Sequence, residues 1–149
     1  MTMLGSALDL GSLLRPARKT ATFTGAAGAG AVGSVALFST TGEILIVAIV
    51  PFCTTLLTEA GATATIALGI TGSTSLFVAA TNAVEIDANE FWVDTAPDPN
   101  GIALPAALQN IVITDNIIAT VGAQNVTGGV IRFDVLWRPL SADGALVAA

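Results

Sequence analysis

The chain has 149 residues, a formal net charge of −6 at pH 7, 53% hydrophobic residues and only 11% charged residues. This length fits one domain with a single core, and such a core is too small to hide so much apolar surface. We therefore expect the chain to work in an assembly, since exposed apolar patches are commonly interfaces. The acidic balance argues against nucleic-acid binding by the folded part.

The N-terminal residues differ in charge from the rest of the chain. The five basic residues are Arg15, Arg18 and Lys19 near the start, and Arg132 and Arg138 in one late segment. Glycines at positions 5 and 11 weaken any helix over residues 1–19, so we interpret this segment as an extended arm. Its positive charges follow the weakly apolar start instead of preceding it, unlike a secretory signal. We expect synthesis in the cytoplasm.

The run Gly42–Cys53, GEILIVAIVPFC, is the most apolar stretch of the chain. It is too short to cross a membrane as a helix, which needs roughly 18 apolar residues, and we expect no membrane contact. Its β-branched residues favour a strand. We predict a central strand that is covered on both faces, with the second cover supplied either by the same chain or by a neighbouring subunit. The turn residues at 39–42 predict a hairpin with residues 32–38, and we expect the run to face the sheet that holds residues 131–137.

Nine short segments have the composition of strands, rich in β-branched and aromatic residues and bounded by turn formers. They are residues 20–24, 32–38, 43–50, 63–70, 75–80, 90–94, 110–114, 117–122 and 130–139. The helical candidate is residues 103–111, which contains Pro105. Such strands predict an all-β fold: an antiparallel β-sandwich or barrel (jelly-roll-like) of about eight or nine strands. We expect an arm over residues 1–19, a β-domain over 20–140 and a C-terminal tail over 141–149.

The late segment alternates most clearly. Ile131, Phe133, Val135 and Trp137 point one way, and Arg132, Asp134, Leu136 and Arg138 point the other. Arg132 and Asp134 share a face, where we expect either ion pairs with neighbouring strands or an ordinary solvated surface.

The residues that catalysis and cofactor binding use are scarce. Gly28–Gly33 formally matches the dinucleotide pattern GxGxxG, but no helix is predicted after it, so we interpret it as a Gly/Ala loop. The chain has no histidine, and we interpret its single cysteine, Cys53, as a residue that packs in the buried core. We expect no enzyme activity, no catalytic residue and no cofactor.

Five acidic residues cluster in the second half of the chain. They are Glu85, Asp87, Glu90, Asp94 and Asp98. Oxygen-rich clusters can bind Ca²⁺, but the spacing differs from that of a calcium-binding loop. A solvated strand face is the simpler interpretation, and we assign no metal site.

Three stretches carry a resemblance to a known group of proteins: residues 20–46, 64–94 and 130–144. Together they resemble the small head decoration (cement) proteins of tailed bacteriophages. The resemblance implies a structural virion protein that binds the outer surface of a phage head in many copies. Its implied partners are the major capsid protein and further copies of itself, with a trimer favoured, and its implied location is the capsid surface.

On this interpretation the body forms the oligomer and the arm reaches across the shell. Arg15, Arg18 and Lys19 are then the candidates for contact with an acidic capsid surface. The alternative function is a tail, baseplate or receptor-binding component of a phage particle.

Overall fold

The computed structural model describes residues 14–149. Eleven strands follow one another in the chain: Arg15–Thr22 (β1), Gly33–Thr41 (β2), Ile44–Glu59 (β3), Thr65–Ile70 (β4), Ser73–Asn82 (β5), Glu90–Phe91 (β6), Asp98–Pro99 (β7), Gln109–Ile113 (β8), Ile117–Gly122 (β9), Val126–Pro139 (β10) and Ala145–Ala148 (β11). Two short 3₁₀ helices, Ala83–Glu85 and Ala106–Leu108, complete the elements. Within residues 14–149, no helix has the length and apolar character needed to span a membrane.

The strands form two antiparallel sheets. The large sheet has the order β1-β10-β3-β6-β7, with β8 also paired to β3, and the small sheet has the order β11-β2-β9-β4-β5. Side chains from both sheets form one buried cluster, which includes Leu37, Ile49 and Phe133. The predicted all-β antiparallel fold is confirmed, and the sandwich is the form it takes.

The longest contact of the large sheet joins β3 and β10, which pair along most of their lengths. The predicted alternation of the late strand is confirmed: Ile131, Phe133, Val135 and Trp137 are all buried. Neighbouring side chains such as Arg132 point to the opposite face and stay partly exposed. The large sheet thus has an inner face in the core and an outer face toward solvent.

A buried hydrogen bond ties the connection after β6 to the small sheet. The indole Nε1–H of Trp92 donates to Oγ1 of Thr81 on β5 at 2.9 Å, and both residues are buried. A buried polar group without a hydrogen-bond partner destabilises the folded state by about 1–3 kcal/mol. This bond avoids that loss for both the indole N–H and the hydroxyl oxygen. It holds the segment between β6 and β8 against the core.

All nine predicted strand segments contain or overlap strands of the structure, and two further strands, β7 and β11, were not predicted. The helical prediction over residues 103–111 was wrong. Only Ala106–Leu108 forms a 3₁₀ turn, and the following residues form β8, which pairs with Ile44–Ala48 of β3. Pairing with a long neighbouring strand outweighs the weak helix propensity of this segment.

The predicted hairpin between residues 32–38 and the apolar run was wrong. β2 pairs with β9 and β11 in the small sheet, whereas β3 pairs with β10, β6 and β8 in the large sheet. The chain crosses from one sheet to the other at Gly42, whose φ is +62°, a conformation that favours glycine. The expectation that Gly42–Cys53 faces the sheet that holds residues 131–137 was also wrong. These residues belong to β3 and β10, which are neighbours in one sheet.

The apolar run is a central strand, as predicted, and the chain itself fully covers only one of its faces. Ile44, Ile46 and Ile49 are buried in the core, whereas Leu45 and Val50, each next to one of them, are only half-buried. The strand therefore presents an apolar side chain on the outer face as well. This distinguishes it from an ordinary strand with one solvated, polar face.

Two strands lie partly or wholly outside the β-domain that was predicted over residues 20–140. The expected arm ran to residue 19, but β1 begins at Arg15 and pairs with β10 through Thr22. Residues 1–13 of that arm lie outside the described residues. The expected tail over residues 141–149 contains β11, which pairs with β2.

Candidate interaction surface

All five basic residues of the chain lie on two paired strands. Arg15, Arg18 and Lys19 are on β1, and Arg132 and Arg138 are on the neighbouring β10. One acidic residue, Asp134, accompanies them on these strands, in a chain that has eleven acidic residues. The pairing of β1 with β10 thus gathers positive charge at one edge of the large sheet. We call the β1 residues Arg15, Arg18 and Lys19 the basic edge.

The three residues of the basic edge do not share one face. Arg18 is opposite Asp134 in the register, and its Nε lies 2.5 Å from the carboxylate Oδ1 on the outer face. Arg15 and Lys19 alternate to the other side of the strand. The guanidinium of Arg15 lies 5.8 Å from the ring centroid of Trp137.

Lys19 closes the open side of the sandwich. Its ammonium donates a hydrogen bond to the carbonyl oxygen of Ala149, which follows β11. β1 and β11 are edge strands of different sheets, so this bond joins the sheets. Arg18 lies on the outer face of the sheet, where its guanidinium is paired with Asp134 and 63% of its side chain is exposed.

The outer face of the large sheet is apolar at its centre. Leu45 on β3 is opposite Val112 on β8, which is 59% exposed, and Leu136 on β10 is 37% exposed. Val50 and Phe52, farther along β3, are half-buried. We call these five residues, Leu45, Val50, Phe52, Val112 and Leu136, the outer face.

Aromatic contacts extend the outer face toward β6. The ring centroids of Phe52 and Phe91 are 4.9 Å apart, and the guanidinium of Arg132 lies 5.2 Å from the Phe52 centroid. Arg132 also donates from Nε to Asp134 at 2.8 Å. Asp134 thus forms one ion pair across strands, with Arg18 of β1, as considered from the sequence, and a second pair within β10 that was not expected.

A shallow groove of about 570 Å³ runs between β1, β3 and β10 on this side of the molecule. Apolar side chains such as Pro16, Ala48 and Leu136 line it, with Arg18 and Asp134 at its polar part. An apolar floor with few charged groups is the usual composition of a binding groove.

The acidic cluster lies at the edge of the large sheet that is farthest from β1, on and around β6 and β7. Its carboxylates serve the local backbone: Glu90 accepts from the amide of Asp87 at 3.0 Å, and Asp94 accepts from that of Ala96 at 2.8 Å. Within residues 14–149, no three metal-ligating side chains are grouped to hold a metal ion.

The two remaining chemical candidates occupy structural positions. Residues after Gly33 form β2, not the helix that a dinucleotide site requires. Burial and, to a lesser extent, the nearby charge of Glu90 raise the pKa of the Cys53 thiol to about 11. A thiol with that pKa stays protonated at neutral pH, so Cys53 is a core residue and a poor nucleophile.

Sequence reasoning found the apolar second face of the central strand, because residues 44–51 lack the alternation that a strand with one solvated face would show. It missed the other strands of the outer face and the joining of the basic residues. No local signal could join Arg132 and Arg138 to the N-terminal residues, because the pairing of β1 with β10 spans more than a hundred residues.

Comparisons with known proteins leave the family open. No protein-family model matches the chain, and no curated protein matches it. Among solved structures, the chain is similar to one described as the cyanophage Pam1 capsid asymmetric unit, with a TM-score of 0.50 and 18% sequence identity. The match covers 84% of this chain and 84% of that chain. At this identity the likeness establishes a shared fold.

Proposed function

We propose that this protein is a structural component of a phage particle, and specifically a decoration protein that binds the outer surface of the head and bridges major capsid subunits. The observation that carries the proposal is the position of the basic residues. The chain is acidic overall, yet all its basic residues lie on the paired strands β1 and β10, beside the apolar outer face. Such a surface suits lasting attachment to another protein. The fold shared with a cyanophage capsid chain supports the same function.

The basic edge is the proposed capsid contact. Arg18 projects from the outer side of β1 with most of its side chain exposed, while Arg15 and Lys19 add positive charge along the same strand. The complementary partner is an acidic patch on the major capsid protein, and the attached form is an oligomer, with a trimer favoured by the resemblance.

Imaging of phage heads tests this proposal. Heads prepared without the protein, and the same heads after its addition, are compared by cryo-electron microscopy. Added density at regular positions over the whole shell is the expected result. Density confined to the tail or to its attachment site would replace the proposal with the alternative function, a tail or baseplate component.

A further inference from the structure

We propose that Asn100 is a site of spontaneous modification, at which the side-chain amide converts to a carboxylate and adds a negative charge beside β6 and β7. The residue lies directly after β7, at the edge of the large sheet farthest from β1. The site is therefore separate from the proposed capsid contact, and its chemistry does not depend on the proposed function.

The reaction starts at the peptide bond that follows the asparagine. The backbone nitrogen of Gly101 attacks the side-chain carbonyl carbon of Asn100 and forms a C–N bond. The side-chain nitrogen leaves as ammonia, with the proton that the attacking nitrogen loses. Water then opens the five-membered ring at either carbonyl, which gives aspartate or isoaspartate. Either carboxylate is ionised at neutral pH, so the chain gains one negative charge.

The neighbouring glycine selects Asn100. The chain has six asparagines, and Asn100 is the one that a glycine follows. Glycine lacks a Cβ, so its nitrogen is the least hindered nucleophile in the backbone and the peptide rotates most freely. The space around Gly101 is also open: among residues 14–149, a Cβ placed there would meet no heavy atom within 4 Å apart from its chain neighbours.

The loop allows Asn100 to reach the geometry of attack. Asn100 and Gly101 are both exposed. Asn100 has a φ of +69°, and the amide of Gly101 donates a hydrogen bond to the carbonyl oxygen of Pro99 at 2.8 Å. A bond between residues two apart around a positive φ closes a strained form of γ-turn. Opening this turn relieves the strain and frees the nitrogen that attacks.

The other asparagines have different surroundings. Asn82, Asn116 and Asn125 each accept a hydrogen bond from a backbone amide through Oδ1, at 3.4, 2.9 and 3.0 Å. Asn89 is the closest match to Asn100, because it is exposed and has a φ of +67°, but Glu90 follows it. Asn89 is thus an internal control for the effect of the glycine.

The new carboxylate joins an edge that is already acidic. Asp98 on β7 is opposite Phe91 on β6, and Pro99 is opposite Glu90. Conversion at the next residue raises the negative charge of the edge that lies farthest from the basic residues of β1. The charge difference across the large sheet therefore grows as the protein ages, and isoaspartate also adds one carbon to the backbone directly after β7.

The test follows the purified full-length protein during incubation at mildly alkaline pH, which promotes loss of the attacking amide proton, and below its unfolding temperature. Peptide mass spectrometry measures conversion at Asn100 and Asn89 in the same sample, and native isoelectric focusing measures the accumulated charge. Asn100→Gln is the matched variant, since it keeps an uncharged amide but must close a larger, less favourable ring. Circular dichroism checks its fold.

We expect conversion at Asn100 to be at least about tenfold faster than at Asn89, which corresponds to about 1.4 kcal/mol in activation free energy. Aspartate and isoaspartate should both form, and the acidic species of the wild type should be nearly lost in Asn100→Gln. Equal rates at Asn100 and Asn89, or an intact Asn100, would overturn the inference. Equal accumulation of acidic species in a folded Asn100→Gln would also overturn it. The comparison within the wild type decides the matter even if the variant does not fold, and no phage head takes part, so the proposed function is unaffected by either result.

Discussion

Arg18 on β1 and Asp134 on β10 are partners in the sheet register, and the Nε of the arginine lies 2.5 Å from the Oδ1 of the carboxylate. This pair shows that the basic N-terminal residues belong to the folded domain. It also leaves the outer side of the guanidinium open to a partner, since 63% of the Arg18 side chain is exposed.

The first prediction concerns this arginine. Arg18→Glu should change the free energy of unfolding by less than about 1 kcal/mol, because exposed ion pairs contribute little. It should weaken attachment to heads by about tenfold or more, because it places a negative charge opposite the proposed acidic capsid patch. Head occupancy after co-sedimentation measures the effect, with Arg138→Glu on β10 as the control for net charge. Equal losses in both variants would argue against a specific contact by Arg18.

The second prediction separates the arm from the strand that follows it. Deletion of residues 1–13 should leave the thermal unfolding temperature nearly unchanged and should reduce head occupancy. Deletion of residues 1–22 should lower that temperature as well, because it removes β1 from β10 and breaks the Lys19–Ala149 tie between the sheets. Full occupancy after the shorter deletion would exclude residues 1–13 from attachment.

The third prediction compares neighbouring residues of β3. Ile46 is fully buried, so Ile46→Asp should cost more than about 4 kcal/mol and prevent folding. Val47 is the extra residue at an irregularity in the pairing of β3 with β10 and is only half-buried. Val47→Asp should therefore fold, with a smaller loss of stability. Chemical denaturation measures the loss of stability in each variant, and a stably folded Ile46→Asp would show that the core is misplaced.

The fourth prediction concerns pH. The pKa of Cys53 in the folded chain, about 11, exceeds the ordinary thiol value of about 8.5. The unfolded thiol therefore loses its proton first, and the stability it contributes is present below about pH 8.5 and is lost as the pH rises to about 11. Because of this residue, the free energy of unfolding falls by at most about 1.4 kcal/mol for each unit that the pH rises. Denaturation of wild type and Cys53→Ala over this range measures it, and identical slopes would contradict the assignment.

The sequence predicted the strands well because strand formation here follows local composition. Ile131–Trp137 alternate in the sequence and in the structure, and the apolar run at residues 44–51 is a central strand. β1 was harder to predict in full, since Arg15–Lys19 is charged and contains Pro16. Its pairing with distant residues of β10 makes it a strand.

Sheet membership could not be predicted from the turn at Gly42. A short connection with a positive φ can join two strands of one sheet or carry the chain between sheets. The choice depends on the partners of β2 and β3, which lie far along the chain in β9 and β10. The candidate surface could not be predicted for the same reason, because its residues come from β1, β3, β8 and β10, which are distant in the sequence.

The most direct test of the structural function is the copy number of this protein in purified phage particles. Quantitative mass spectrometry gives its molar ratio to the major capsid protein in the same sample. A decoration protein bound across the shell predicts a fixed ratio of the same order as the capsid protein itself. A ratio that matches the tail proteins of the particle would contradict the account.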